Sequence, residues 1–227
     1  RILSGFLVLI CGSVFMAVYA GYQSQQTAKV LHDVVEKHIA RIALTSGLKD
    51  NLNFVARAVR NIALAPDAAT QAIEKQRLDK ASAANTELLA KLGSGENEPS
   101  EQAALEAAKA ARAAYLPLVQ KAIALSMEGQ RDASVALMFG DLREVLANYL
   151  EALQAYVDLE ARLAKEQATA AEEAATTTTW VLWGAAVLSA IGGLLVAVVV
   201  SRSVTQPIGE ALVVAKAVAQ GDLTVHV

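Results

Sequence analysis

An uninterrupted run of uncharged residues, 180–200, places the strongest constraint on how this chain can fold. As a helix rising about 1.5 Å per residue it extends roughly 31 Å, close to the thickness of the hydrocarbon core of a bilayer. Trp180 and Trp183 lie at one end, where indole rings favour the headgroup region, and Arg202 follows the other end. A buried soluble helix of this length would carry a polar edge. The run therefore predicts a transmembrane helix over residues 180–201.

A second apolar run lies at the start of the sequence, where residues 2–22 contain no charge. A cleaved signal peptide is the alternative, but its apolar region would be shorter and would end at a small-residue cleavage site. We therefore predict an uncleaved transmembrane helix over residues 1–22. Arg1 and Arg202 flank the two spans, and the positive-inside tendency places both arginines in the cytoplasm and residues 23–179 outside.

The segment between the spans, residues 23–179, shows no sustained period-two alternation, so strands are not expected. Proline, glycine and polar clusters at 65–67, 93–100 and 127–130 indicate turns. Asp67 and Ser100 are suited to N-cap the helices that follow the first two turns. These signals predict four helices, over residues 22–64, 67–92, 100–127 and 131–179.

Apolar residues recur at alternating steps of three and four along all four helices. This heptad pattern indicates knobs-into-holes packing. The sequence thus predicts an all-α fold, a membrane-anchored antiparallel up-down four-helix bundle with two transmembrane helices. The predicted seams are Leu48, Leu52, Val55, Val59 and Ile62; Leu78, Ala81, Asn85, Leu88 and Leu92; Ala104, Ala108, Ala111, Tyr115, Leu118, Ala122 and Leu125; and Val135, Met138, Leu142, Val145, Tyr149, Ala152, Tyr156, Leu159 and Leu163.

The residues after the second span, 202–227, contain a short helix with distinctive ends. Pro207 suits the start of a helix and Gly221 its end. Between them, Ile208, Leu212 and Ala215 begin a heptad seam that continues to Ala219. With Pro-Ile before it and Gly-Asp-Leu after it, the segment resembles the first helix of a HAMP signal-relay domain. An amphipathic juxtamembrane helix is the alternative, and it accounts for the seam but not for the two ends.

Two spans, a four-helix segment and a HAMP-like start together resemble the bacterial methyl-accepting chemotaxis receptors. Residues 55–64 are similar to the arginine-containing end of that family's first bundle helix, and residues 128–133 to its turn between the third and fourth helices. The resemblance implies a two-pass receptor of the bacterial inner membrane whose bundle binds ligands in the periplasm. It also implies a homodimer or higher oligomer that signals to cytoplasmic proteins. Two alternatives stay open: the input half of a sensor histidine kinase or cyclase, and a non-signalling membrane-anchored bundle.

Several classes of function find no support in the sequence. His32 and His38 are remote from the single cysteine and are expected on a solvated or interface face of the first helix. Residues 23–179 carry 17 Lys and Arg against 21 Asp and Glu, a mildly acidic balance that does not suit nucleic-acid binding. We expect no enzymatic activity, cofactor, metal site or nucleic-acid partner.

Polar residues near the seams predict a first ligand site. Arg112 has no acid at its level in the seams, and an unpaired buried guanidinium costs several kcal/mol. An acidic ligand would supply the missing partner. The alternative is that Arg112 extends outward to solvent and that the tyrosines only fill the core. Counting residues from the turns places these groups at about the same level of the bundle: Ser82, Asn85, Arg112, Tyr115 and Tyr149.

A second candidate site lies on a flank of the first bundle helix. Arg57, Arg60 and Asn61 occur together there, beside its seam. In the resembling chemoreceptors such arginines can bind ligands between two subunits; the alternative is a solvated charged flank. Both candidates indicate a small organic carboxylate, either a di- or tricarboxylate or an amino or aromatic acid.

Overall fold

The computed structural model describes residues 2–219, and this part of the chain is helical without any strand. Its α-helices are α1 Ile2–Asp33, α2 Ala40–Leu64, α3 Ala68–Gly93, α4 Pro99–Met127, α5 Arg131–Phe139, α6 Asp141–Val200 and α7 Gln206–Ala219. Two π-helical segments, Val34–Ile39 and Ser201–Thr205, join α1 to α2 and α6 to α7. The all-helical prediction is confirmed.

The chain separates into two compact units. One is Leu31–Thr169, in which α2, α3, α4 and the α5–α6 pair form the four-helix bundle. The other combines the residues up to Val30 with those from Ala170 onward. Within this second unit, Nε2 of Gln23 donates a hydrogen bond to Oγ1 of Thr178 at 2.9 Å.

One stretch of the described chain is long and apolar enough, by length and composition, to cross a membrane. It lies within the helical run Arg131–Gly209 and has a mean hydropathy of 2.3 over its most apolar window, none of which is buried. The helical run Arg131–Gly209 contains the predicted span at 180–201. Trp180 and Trp183 are both exposed at its start.

The start of the HAMP-like segment is helical. Helix α7 begins at Gln206, one residue before Pro207, and the exposed side chains of Ile208 and Leu212 lie on it. The predicted helix end at Gly221 lies outside the described residues. The exposed apolar pair is available for the coiled-coil seam that the sequence predicts.

The predicted turns agree with the helix ends, with one error at an N-cap. Asp67 caps α3 as predicted, because its Oδ1 accepts from the backbone N–H of Thr70 at 2.7 Å. The prediction of Ser100 as the cap of α4 is wrong: the cap is Glu98, and Pro99 occupies the first helical turn. The backbone N–H of Glu98 donates to Oε2 of Glu101 at 2.6 Å, which satisfies a donor that a helix start otherwise leaves free.

The fourth predicted helix, 131–179, is interrupted. Gly140 ends α5 with φ −93° and ψ −116°, and α6 begins at the next residue. Its backbone N–H still donates to the carbonyl of Ala136 at 3.0 Å, so the chain turns without losing that hydrogen bond. A Cβ at position 140 would come within 3.2 Å of the same carbonyl oxygen, which explains why glycine suits this break.

The predicted seam of the first helix is confirmed, since Leu48, Leu52, Val55, Val59 and Ile62 are all buried. The seams of α4 and α6 were predicted partly out of register. Leu105 and Val119 are buried in α4, whereas their predicted neighbours Ala104 and Leu118 are partly exposed. In α6, Leu153 and Glu160 are buried in place of Ala152 and Leu159.

Shortening a core side chain tests this packing. Ile62→Val is expected to lower the free energy of unfolding by about 0.5–1.5 kcal/mol, because Ile62 is fully buried and the lost methylene leaves a void. Ile73→Val is the matched control, since Ile73 is 53% exposed and its change should have a much smaller effect. Urea unfolding of a fragment 31–169, followed by circular dichroism, compares the two. Equal losses would contradict the assigned core.

Candidate functional site in the helical bundle

A cavity of about 600 Å³ lies within the bundle unit, between α2, α4, α5 and α6. This volume is in the range typical of small-molecule sites. All but two of its lining residues are apolar or aromatic, and none is acidic. The lining consists of Ala56, Val59, Arg60, Leu64, Tyr115, Val135, Met138, Phe139, Leu142, Arg143 and Leu146.

The break at Gly140 contributes directly to this cavity. Phe139 and Met138 at the end of α5 line it from one side of the break, and Leu142 and Arg143 at the start of α6 line it from the other. Phe139 is 74% exposed, so the cavity is not sealed at this edge. The four side chains are spaced so that they fall on one side of the α5–α6 pair, and the break at Gly140 lies between them.

Two arginines provide the only charges in the lining of the cavity. Arg60 comes from α2 and Arg143 from α6, and both side chains are exposed. Neither has an ion-pair partner among the described residues. A guanidinium presents a fork of N–H donors that matches a carboxylate, so the cavity combines an apolar body with a cationic edge.

The inner wall contains a pair of tyrosines. Tyr115 lines the cavity, and its ring centroid lies 6.0 Å from that of Tyr149, with the ring planes tilted by 46°. Both side chains are buried, and neither hydroxyl has a hydrogen-bond partner within the part of the chain that the structure describes. Burial raises the pKa of Tyr149 to about 12, with Arg112 acting in the opposite direction. Burial, with a smaller effect of Tyr149, also raises the pKa of Tyr115.

The structure places Arg112 differently from the first predicted site. Its side chain is partly exposed rather than buried, and Nη2 donates to Oγ1 of Thr86 at 2.6 Å. Thr86 Oγ1 in turn donates to the backbone carbonyl of Ser82 at 3.0 Å. Arg112 and Ser82 are thus linked through Thr86, a residue that the sequence did not suggest. Because its guanidinium is partly exposed and hydrogen-bonded, Arg112 does not require the acidic partner that a buried guanidinium would need.

The remaining predicted residues fall into separate places. Asn85 is buried, and its Oδ1 has no partner among the residues that the structure describes. Arg57 is exposed and does not line the cavity. Asn61 is exposed and donates to Oε2 of Glu74 at 3.1 Å. Of the eight predicted residues, the structure brings only Arg60 and Tyr115 to the cavity, one from each predicted site.

A buried cluster of charged side chains forms a second feature of the bundle unit. His38, Glu101 and Glu160 are fully buried, and Arg41 is nearly so. Nη1 of Arg41 lies 2.7 Å from Oε1 of Glu101 and 3.4 Å from Oε1 of Glu160. Nδ1 of His38 lies 2.6 Å from Oε2 of Glu160. The expectation that His38 lies on a solvated or interface face is therefore wrong.

The cluster ties three helices and a loop together. Lys37 contributes a longer contact, 3.2 Å from Oε1 of Glu101, and Nη2 of Arg41 donates to the backbone carbonyl of Glu96 at 2.9 Å. Burial by itself would raise the pKa of the Glu101 carboxyl, but the backbone N–H of Glu98 and the side chains of Arg41 and Lys37 together lower it below its usual value. The Glu101 carboxylate is therefore the favoured form.

A signal for this cluster exists in the sequence. The buried positions of the first helix continue toward the N-terminus from Leu48 at the same steps of three and four, through Thr45, Arg41, His38 and Val34. Three of these four residues are polar, so a pattern of apolar residues does not mark them as core positions. The contacting acids also belong to distant parts of the chain, so spacing alone did not connect them.

Comparison with known families identifies the bundle. The family model described as a four helix bundle sensory module for signal transduction matches residues 1–175, which is more than half of the chain. The chain belongs to this family. It is the sensory module of methyl-accepting chemotaxis receptors, so the predicted relationship to those receptors is confirmed. Searches of curated proteins and of solved structures gave no significant match.

Membership of the sensory-module family gives the cavity its context. The bundle that contains it, Leu31–Thr169, lies wholly inside the matched residues. Its general role is that of a sensor domain in signal transduction. The cavity and the buried cluster are two places among the described residues where ligand chemistry can be considered for named side chains.

Proposed function

We propose that this chain is the input part of a transmembrane chemoreceptor and that its bundle binds a small organic carboxylate with an apolar body. The cavity beside Tyr115, with Arg60 and Arg143 at its edge, carries this proposal. Burial of an apolar ligand group contributes roughly 25 cal/mol for each Å² removed from water. The two guanidinium groups would hold the carboxylate at the edge of the cavity and so fix the orientation of the ligand.

The chemistry of the cavity narrows the ligands that the sequence suggested. A tricarboxylate would require burial of charges that an apolar lining cannot pair, which costs several kcal/mol per ion. An aromatic or branched aliphatic acid needs only one charged contact and places its remaining atoms against apolar side chains. We therefore favour aromatic and branched monocarboxylates over tricarboxylates, with apolar amino acids as the intermediate case.

The signal would travel from the cavity through α6. Leu142, Arg143 and Leu146 line the cavity on this helix, and the same helix contains the apolar stretch proposed as the second span. A ligand that favours one packing of the bundle shifts the equilibrium between arrangements of α6. Displacements of about 1–2 Å between packed helices are typical of such switches.

The proposed topology has two transmembrane helices, over residues 1–22 and 180–201, with an antiparallel up-down bundle over 23–179 in the periplasm. Residues 202–227 would form the first helix of a HAMP domain, paired with a second copy of the chain in a homodimer or higher oligomer. The receptor family and the apolar stretch support a location in the bacterial inner membrane. In this arrangement the chain senses and relays, and any output belongs to cytoplasmic partners.

Ligand binding to Arg60 is the direct test. We expect Arg60→Ala to weaken binding of an aromatic monocarboxylate such as phenylacetate by about 10–100-fold, the range for loss of a hydrogen bond to a charged group. Arg57→Ala is the matched control, because Arg57 is exposed on the same helix and does not line the cavity. Calorimetric titration of the full chain in detergent micelles measures both, with phenylacetamide as the uncharged analogue.

Three results would contradict the proposal. Equal binding of the acid and its amide would remove the role of the arginines. Loss of binding in Arg112→Ala together with full binding in Arg60→Ala would move the site to the level of Ser82 and Asn85. Tight binding of citrate in preference to phenylacetate would contradict the assignment of an apolar ligand body.

A further inference from the structure

We propose that His38, Glu101 and Glu160 form a binding site for a divalent transition cation such as Zn²⁺, and that the guanidinium of Arg41 competes with the metal for it. One imidazole and two carboxylates are donors that suit Zn²⁺ and its neighbours in the first transition row. None of these three residues lines the ligand cavity. Metal binding would therefore be an input separate from the proposed carboxylate.

The distances are close to those that a metal requires. One ligand atom from each of the three residues lies within 4.8 Å of the others. Nδ1 of His38 is 2.6 Å from Oε2 of Glu160 and 3.9 Å from Oε1 of Glu101. Donor atoms around a tetrahedral Zn²⁺, at about 2.0–2.2 Å from the ion, lie roughly 3.3–3.6 Å apart. Small side-chain rotations bring the three donors to that separation.

An unused polar atom indicates that the cluster is not a complete hydrogen-bond network. Nε2 of His38 is buried and has no hydrogen-bond partner among the described residues, a state that costs free energy. Oε1 of Glu101 lies 2.7 Å from Nη1 of Arg41 and 3.2 Å from Nζ of Lys37, so a metal ion at this carboxylate would replace those contacts.

The position of Arg41 shows that this place already attracts a cation. Its Nη1 stands between the two carboxylates, at 2.7 Å from Glu101 and 3.4 Å from Glu160. A dication would neutralise both carboxylates at once. It would occupy the position of the Arg41 guanidinium, which would have to move away from the two acids. Lys37 can turn to solvent, because its side chain is 31% exposed.

Exchange of Arg41 for a metal has a structural consequence. Nη2 of Arg41 also donates to the backbone carbonyl of Glu96, in the segment that joins α3 to α4. Displacement of the guanidinium would break this hydrogen bond and release the segment. The metal would thereby change how α3 and α4 are connected while holding the π-helical segment Val34–Ile39, α4 and α6 together through its three ligands.

Titration with Co²⁺ tests the site in the full chain, purified without a histidine tag in detergent micelles. Co²⁺ is used because its visible absorption spectrum changes when protein side chains coordinate it. Zn²⁺ is then added as a competitor. We expect one Co²⁺ per chain, with the absorption lost when Zn²⁺ is added. His38→Gln and Glu160→Gln should each weaken binding by about 10–100-fold or more, since even loss of a supporting partner costs that much at a metal site.

Two further variants make the test specific. His32→Gln is the matched control, because His32 is exposed six residues before His38 and should bind Co²⁺ as the unaltered chain does. Arg41→Gln should bind about tenfold more tightly or better, because it removes the competing cation. Circular dichroism checks that each variant is folded, and the two ligand variants are independent of each other. No Co²⁺ absorption at one equivalent, or unchanged binding in both ligand variants, would overturn the proposal.

Discussion

Replacing Arg41 by alanine is expected to lower the free energy of unfolding of the bundle by about 3–5 kcal/mol, the range for removing one partner of a buried ion pair. Among the described residues, only Arg41 contacts both Glu101 and Glu160 and also the loop carbonyl of Glu96. Without it, the two buried carboxylates would keep His38, Lys37 and the backbone N–H of Glu98 as partners. Urea unfolding of the fragment 31–169, followed by circular dichroism at pH 7, measures the loss.

An exposed ion pair provides the control for Arg41. Arg77 contacts Glu74 at 2.8 Å on the surface of α3, and its side chain is 60% exposed. Arg77→Ala is therefore expected to cost less than about 1 kcal/mol. The double replacement of Arg41 and Glu160 by methionine should be less destabilising than Arg41→Ala, because it removes a charge of each sign. A loss in Arg41→Ala no larger than in Arg77→Ala would show that the cluster does not hold the helices together.

Tyr149→Ala is expected to cost about 3–5 kcal/mol, as for other buried aromatic side chains replaced by alanine. The ring is 1% exposed and packs against Tyr115 at the inner wall of the cavity. The same urea experiment measures this loss. Since the ring is covered on all sides, a loss of only about 1–2 kcal/mol would mean that the cavity extends as far as Tyr149.

The matched control for Tyr149 is its replacement by phenylalanine. The hydroxyl of Tyr149 is buried and lacks a hydrogen-bond partner in the described residues 2–219, so Tyr149→Phe removes an unsatisfied polar group and keeps the ring. We expect it to be neutral or to raise the stability slightly. A large loss in Tyr149→Phe would instead show that the hydroxyl has a partner, such as an ordered water, that contributes to stability.

The elements that sequence analysis predicted well depend on local rules. The apolar residues from Leu48 to Ile62 recur at steps of three and four, and such a stripe must face the core of any bundle. The turn before α3 could be predicted for a similar reason, because Asp67 after Pro66 both ends one helix and caps the next. Neither prediction needs knowledge of what the helix packs against.

The register errors arose where composition left two choices. In α4, Ala104 and Ala111 lie four and three residues from the buried Ala108, and the buried Leu105 lies three residues from it, so the sequence offers two neighbouring apolar faces. In α6, Glu160 lies on the same buried face as Leu153, and this acidic residue makes the true core face look polar in the sequence. Burial of an acid is costly unless it is paired, so the pattern of apolar residues alone favoured the neighbouring face.

The sequence alone determines the four helices and the general way in which they pack. These features follow from the spacing of small and apolar residues within one segment and from the turn residues between segments. The candidate sites depend on contacts between different segments, and the spacing within a segment does not specify those contacts. Arg60 and Tyr115 belong to two separately predicted sites, and they line one cavity only because the tertiary fold packs α2 and α4 against the α5–α6 pair. His38, Glu101 and Glu160 lie on three different helical segments. The two carboxylates are tolerated in the core because the tertiary fold brings Arg41 and His38 within reach of them.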